Sequence, residues 1–310
     1  MVWRSVMISR PARLRREHYS LAIDQEETAC VPFEDIAVIV LDHREITLTH
    51  PVLSACAEYG IGLYATGDNH QPAGVMLPFL SHSRTTRMLR KQLGISRPVV
   101  KQIWAAIVRR KIENQAASLK LRDKPGVERM QSYARRVRSG DPENLEGQAA
   151  AFYFAQLFGA GFYRGDQARW ANAALDYGYA VLRGAIARAL VAHGLHPAVG
   201  LFHASEQNAF NLADDVIEPF RPLVDLHVAM QMTKRLSSAT GASAQEDLQP
   251  DDKPALVALL NADMAMPQGR MAALSAIEYA TESLARSYET DQAAIDLPVL
   301  IGAAAHPLEY

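Results

Sequence analysis

Cysteine is nearly absent. Two residues in 310, Cys30 and Cys56, fit neither a thiolate metal site nor a redox pair, and they offer no disulfide framework. No uncharged apolar run is long enough to span a bilayer, and the opening MVWRSVMISRPARLRR lacks the apolar core of a signal peptide. The expectation is a cytoplasmic protein with no membrane partner. There is no glycine-rich phosphate loop, which counts against a phosphohydrolase of small substrates, and no internal repeat is apparent. What remains is ordinary: 49% apolar and 21% charged residues suit a globular chain with a sizeable core, in one large domain or two modest ones.

The formal net charge of −2 argues by itself against a nucleic-acid partner, but its distribution argues the other way. Between Ser81 and Arg138 stand sixteen Lys and Arg against three acids (Glu113, Asp123, Glu128), a local net of +13. From Ser205 to Tyr310 six Lys and Arg face sixteen acids, a net of −10. A phosphate backbone responds to the local field, not to the sum. The basic stretch is also compatible with a solvated helical surface neutralised by the acidic half. Its arginine content favours phosphate, whose geometry the guanidinium matches.

The pattern changes near residue 80. Before it, Val6–Ile8, Tyr19–Ile23 and Glu45–Thr49 alternate as half-buried strands do, and Ile36–Leu41 is a continuous apolar run suited to a central strand. Pro51–Tyr59 reads as one short helix that Gly60 stops, and Ile61–Thr66 returns to strand. After Pro78 the periodicity is helical almost to the end. One helix runs from Ser96-Arg97-Pro98 towards Leu121, another opens at Asp141-Pro142-Glu143, and a third spans about Trp170 to His193. Others begin near Ala209, Pro254 and Gly269, with a polar loop over 237–253. The expected fold class is α+β, with a small N-terminal β-sandwich over 1–78 followed by a larger all-α C-terminal domain over 79–310.

Polar residues within the apolar helical stretches are the candidates for chemistry. Glu146 lies one turn into a helix, where it serves a site or simply favours the helix dipole. His203, in Gly200-Leu-Phe-His-Ala-Ser205, is a ligand or a hydrogen-bonded core residue. Asp215 and Glu218, read as one helix, fall on one face a turn apart. Their repulsion needs a compensating charge, which either Arg221 or a divalent cation supplies. A glutamate, a histidine and a carboxylate pair form an oxygen and nitrogen set suited to Mg2+ or Mn2+ rather than structural zinc. Beside a basic surface, such an ion points to phosphoryl transfer.

Four segments in order, Asn144-Leu-Glu-Gly-Gln-Ala-Ala150, Asn172-Ala-Ala-Leu-Asp-Tyr-Gly-Tyr179, Gly200-Leu-Phe-His203 and Phe210 to Asp225, resemble the CRISPR-associated integrases of the spacer-acquisition module. The likeness covers essentially the whole chain, and the LADD–EPFRP wording is most similar to members from type II systems. It implies a divalent metal held by Glu146, His203 and Glu218, with Asp215 as a nearby acid, and leaves open which of the two late carboxylates dominates. It also implies a homodimer working with a dimer of a small ferredoxin-like partner, and in a type II system the effector nuclease is a further candidate partner. The DNA partners are a short spacer-precursor duplex and the CRISPR repeat, joined by 3′-hydroxyl attack. Exchanging one phosphodiester for another needs no nucleotide cofactor. Arg164 and the arginines of the basic stretch, Arg84, Arg109, Arg110 and Arg136 among them, are expected to neutralise phosphates. Asn172 and Tyr177 either line the site or satisfy buried contacts. The alternative to an enzyme is a non-catalytic DNA-binding scaffold whose acids are structural.

Overall fold

The apolar run Ile36–Leu41 becomes a strand buried along nearly its whole length, and two cores form on its two sides. The structure, a computed structural model, describes residues 4–67, 72–79, 82–165, 170–238 and 248–305. Its first part comprises β1 (Arg4–Ile8), β2 (Ala12–Glu17), β3 (Ser20–Asp24), β4 (Thr28–Pro32), β5 (Ile36–Leu41), β6 (Ile46–Leu48), α1 (His50–Glu58), β7 (Gly62–Thr66) and β8 (Pro72–Met76). β1 and β7 run parallel to β5 on either side, and β8 closes the sheet antiparallel to β7. A second sheet has the order β4-β3-β2-β6, with only the β2–β6 pair parallel. Leu14, Leu21, Phe33, Ile39, Val52 and Ile61, drawn from both sheets and α1, share one core.

The second part comprises α2 (Thr85–Gly94), α3 (Arg97–Leu121), α4 (Val127–Arg136), α5 (Leu145–Phe158), α6 (Trp170–Ala192), α7 (Asn211–Val216), α8 (Arg221–Ser238), α9 (Lys253–Val257), β9 (Ala262–Met266), β10 (Gly269–Ala272), α10 (Ala273–Thr290) and β11 (Val299–Ala305). Ala37, Val38 and Val40 of β5 pack into its core. Lys253 and Asp42 form an ion pair of 2.8 Å with both side chains 1% exposed, and Arg188 of α6 donates to the Gly60 carbonyl at 2.8 Å. None of the described helices is long and apolar enough to cross a membrane.

Three expectations are corrected. The C-terminal part is mostly helical but not all-α: β10, β9 and β11 form an antiparallel sheet. Residues 262–266 alternate buried and half-buried, a period-two pattern, and Gly269 at φ 128° closes the two-residue hairpin that Pro267 and Gln268 make. The helix assigned to Asp141-Pro142-Glu143 begins instead at Leu145 with Asn144 as its N-cap, accepting from the Gly147 amide, while Asp141 accepts from the amides of Leu145 and Glu146 at 2.9 and 3.0 Å. The segment carrying Asp215 and Glu218 is two helices. Pro219 lacks an amide and disfavours helical geometry at Glu218, so α7 ends at Val216 and α8 restarts at Arg221 with Pro222 in its first turn. Most of the expected polar loop, 239–247, lies outside the described residues.

Candidate active site

The site is organised by α3. Ile103, Ile107 and Lys111 succeed one another at four-residue spacing on its buried face, and that face then turns polar through Asn114, Gln115 and Ser118. Each of three polar residues grips the turn between α7 and α8. The Lys111 ammonium ion-pairs with Glu218, the Asn114 amide donates to the Pro219 carbonyl at 2.7 Å, and the Ser118 hydroxyl donates to the Pro222 carbonyl at 3.2 Å. Asn114 also donates to the Pro298 carbonyl and accepts from the Leu300 amide, which ties β11 to the same place.

Lys111 makes a second ion pair, with Glu146 in the first turn of α5. One ammonium thus joins glutamates from two elements. Glu218 is 5% exposed, and its other oxygen pairs with Arg221 at 3.0 Å. Burial opposes the charge on Glu218, yet Arg221 and Lys111 outweigh it and hold the carboxyl below its ordinary pKa. Burial likewise opposes the charge on Lys111, and Glu218 and Glu146 raise its pKa in spite of it. The Arg221 guanidinium lies over the Tyr179 ring, 4.6 Å from its centroid, and Tyr179 donates to the buried Asp225. Burial lifts Asp225 to a pKa of about 6.

His203 enters from the loop between α6 and α7. Asp215, fully buried on α7, accepts from the amides of Leu201, Phe202 and His203 at 2.5, 3.1 and 3.1 Å and from Nδ1 of His203 at 2.8 Å. The loop can lie this close only because position 200 is glycine. A Cβ there would stand 2.2 Å from the His203 carbonyl oxygen and 2.9 Å from the Asp215 carboxylate. With Nδ1 engaged, Nε2 is the ring atom His203 presents, a tautomer assigned from this hydrogen bond. The Asp215 hydrogen bond raises the imidazole pKa, and His203 in turn helps lower that of Glu218. Phe202 stacks on Trp104 of α3 at 4.4 Å between centroids, with His203 edge-on to both rings.

The remaining expected residues are placed as follows. Arg84 is exposed at the start of α2, Arg109 reaches the Val137 carbonyl, Arg110 pairs with Glu113, and Arg136 shares Glu143 with Arg138. Arg164 bridges Asn172 and Asp176 and lies over the other contact of Arg221, the Tyr179 ring, at 5.5 Å. Asn172 is fully buried and donates to the Tyr163 carbonyl. Tyr177 is fully buried with its ring 5.8 Å from the Lys253 ammonium, beside the joint to β5. Sequence reasoning missed Lys111, Trp104 as a stacking partner, and Tyr179 as the nearer aromatic. Lys111 did carry a signal, since it continues the spacing of the α3 apolar face.

Among the described residues, no three of His, Cys, Asp and Glu are already gathered as a metal centre. The donor set nonetheless fits a hard divalent cation. Two glutamates from separate elements converge on one positive charge, and a histidine beside them has its second nitrogen fixed by a carboxylate, as metal-binding imidazoles do.

Solved structures share this architecture. A casposase bound to an integration product matches with a TM-score of 0.74 and 17% identity over 94% of this chain and 92% of the casposase. The Cas6-RT-Cas1–Cas2 complex contains a match with a TM-score of 0.69 and 15% identity, covering 94% of this chain and 35% of that one. The chain therefore shares its fold with the casposase and with a chain of that complex. In sequence, the family described as CRISPR associated protein Cas1 matches residues 6–247. The CRISPR-associated endonuclease Cas1 of Neisseria meningitidis serogroup C (strain 8013) is 48% identical over 233 residues, 74% of this chain and 75% of the relative. The chain belongs to the Cas1 family of CRISPR-associated proteins and is an enzyme of its endonuclease class.

Proposed function

We propose that this chain is a metal-dependent DNA integrase that inserts short captured duplexes into a CRISPR repeat array by 3′-hydroxyl attack on phosphodiesters. The observation that carries the reading is the convergence of Glu146 and Glu218 on one cation beside His203. Glu146, Glu218 and Nε2 of His203 would hold Mg2+ or Mn2+, which when bound supplies charge neutralisation and lowers the pKa of an attacking hydroxyl. Asp215 would act as the orienting carboxylate of His203, holding Nδ1 and leaving Nε2 for the metal. Arg221 anchors Glu218 and shares the Tyr179 ring with Arg164. Exposed arginines such as Arg84 would bind the phosphates of duplexes of any sequence.

Residues 1–78, as a β-sandwich unit, would build a cytoplasmic homodimer, whose partner is a dimer of the small ferredoxin-like CRISPR-associated protein. In a type II setting the effector nuclease is a further partner. The matched Cas6-RT-Cas1–Cas2 complex supports a Cas partner of this kind. The decisive experiment incubates the purified full chain with a fluorescent duplex and a repeat-containing plasmid, in Mg2+, in Mn2+ and in EDTA. Strand joining that needs the metal is expected, and its failure in both metals with the partner present would sink the reading.

One observation favours a second reading. Both glutamates already have cationic side chains as partners, as they would in a DNA-binding scaffold with structural acids. A scaffold would bind the duplex with unchanged affinity in EDTA and join nothing.

A further inference from the structure

Lys111 is an uncommon neighbour for two carboxylates proposed as ligands. Its side chain is 8% exposed, and its ammonium meets both Glu146 and Glu218, so it stands where a shared cation would stand. The placement is built in. Lys111 lies one turn beyond Ile107 on the buried face of α3, and one turn further Asn114 fixes the carbonyl of Pro219, the residue after Glu218. Arg221 approaches Glu218 from its own helix start and meets Oε1, whereas Lys111 meets Oε2. The two cations therefore serve different oxygens, and of the two it is Lys111 that links Glu218 to Glu146.

We propose that Lys111 is the resident cation of this site. Its ammonium keeps Glu146 and Glu218 converged while no divalent ion is bound, and it withdraws from between them when one enters. This rests on the reading of the two glutamates as metal ligands. The physical argument is one of charge and reach. Two carboxylates aimed at one point repel each other unless a positive charge lies between them. An ammonium is a compact point charge on a flexible four-carbon stem, so it can leave the gap without moving α3. A divalent ion brings twice its charge to the same two oxygens. Metal entry is therefore an exchange of cations, and the ligands are already in place when it happens. Lys111 acts here as a positioning residue, and its effect is to weaken the apparent metal affinity of the site.

The test measures Mn2+ binding to the full chain by titration calorimetry and by the electron paramagnetic resonance of free Mn2+. Four proteins are compared: wild type, Lys111→Met, Lys111→Gln and Glu218→Gln. Both Lys111 variants should bind Mn2+ more tightly than wild type, by about tenfold or more, because no buried charge has to be displaced. Their thermal midpoints should also rise further on Mn2+ addition, and Glu218→Gln should bind weakly. Lys111→Gln still donates a hydrogen bond to a carboxylate, which keeps the comparison open if Lys111→Met does not fold. If the Lys111 variants bind Mn2+ no better than wild type while Glu218→Gln is impaired, the resident-cation proposal is overturned and the metal reading stands. If Glu218→Gln binds as well as wild type, or no protein binds Mn2+, the metal reading fails and this proposal falls with it.

Discussion

Asp215 holds His203 at two points, accepting from its backbone amide at 3.1 Å and from its Nδ1 at 2.8 Å. Since the same carboxylate also takes the amides of Leu201 and Phe202, the loop and the imidazole are set by one buried side chain. Asp215→Ala leaves these donors without an acceptor and should cost about 3 kcal/mol or more in denaturant unfolding. Asp215→Asn keeps an acceptor for the amides but removes the charge, so the His203 pKa should fall towards its ordinary value in an NMR titration. The sign for stability follows. A folded-state pKa raised above that of the unfolded chain adds stability that is present below about pH 6.5 and lost as pH rises through the raised value. Asp215→Asn should abolish that part of the pH dependence, and an unchanged profile would refute the coupling.

Substitutions at Glu218 should divide by chemistry. Glu218→Ala leaves the buried Lys111 ammonium with Glu146 alone and takes the carboxylate from the half-buried Arg221, and should destabilise the fold by about 3 kcal/mol. Glu218→Gln retains the shape at a smaller cost to the fold. It should lower metal-dependent strand joining by about two orders of magnitude or more. Glu146→Gln and His203→Ala should match it in activity while unfolding at nearly wild-type denaturant, since their side chains are more exposed. Joining at wild-type rates by all three would remove them from the chemistry.

Asn114→Leu should disturb the site without touching a proposed ligand. The amide group makes three buried hydrogen bonds, to Pro219, Pro298 and Leu300, and their loss should cost about 2–4 kcal/mol. Metal affinity should fall as well, because the turn carrying Glu218 loses its anchor. A stable variant with normal Mn2+ binding would show that the turn holds itself.

The arginines should not be equal. Arg84 is exposed at a helix start, whereas the charge of Arg136 is partly spent on Glu143. Arg84→Ala should weaken binding to unrelated duplexes alike and flatten the plot of log K against log salt by about one unit. Arg136→Ala should do less, and the exposed Lys234→Ala least. Loss confined to one duplex sequence would contradict phosphate binding.

The legible parts of the fold were those where apolar spacing and backbone chemistry agree. β5 was readable as an unbroken apolar run of strand length, and α3 and α6 as long helical stretches rich in apolar residues. β2 and β4 were not, since β2 is largely arginine with Ala12 and Leu14 buried, and β4 exposes all but Val31. β4 is a short edge strand and β2 an interior strand with two buried apolar residues, and neither leaves much of a periodic trace. In the candidate site, Glu146, His203 and Glu218 could be singled out as polar residues in apolar surroundings. The division of labour between Asp215 and Glu218 could not. It depends on Pro219 breaking a helix and turning one carboxylate towards a loop and the other towards Lys111. Lys111 itself shows how a lysine at an apolar position is easily read as part of a basic run.

Asn114 has one more consequence. The family match ends at residue 247, yet the amide of Leu300 in β11 and the carbonyl of Pro219 are held by this single side chain. The last strand and the turn beside Glu218 should therefore open as one cooperative unit, with linked amide exchange across some eighty residues of sequence. Divergence in the terminal segment of such a chain can then tune how often the active-site turn loosens, with no change in the residues that do the chemistry.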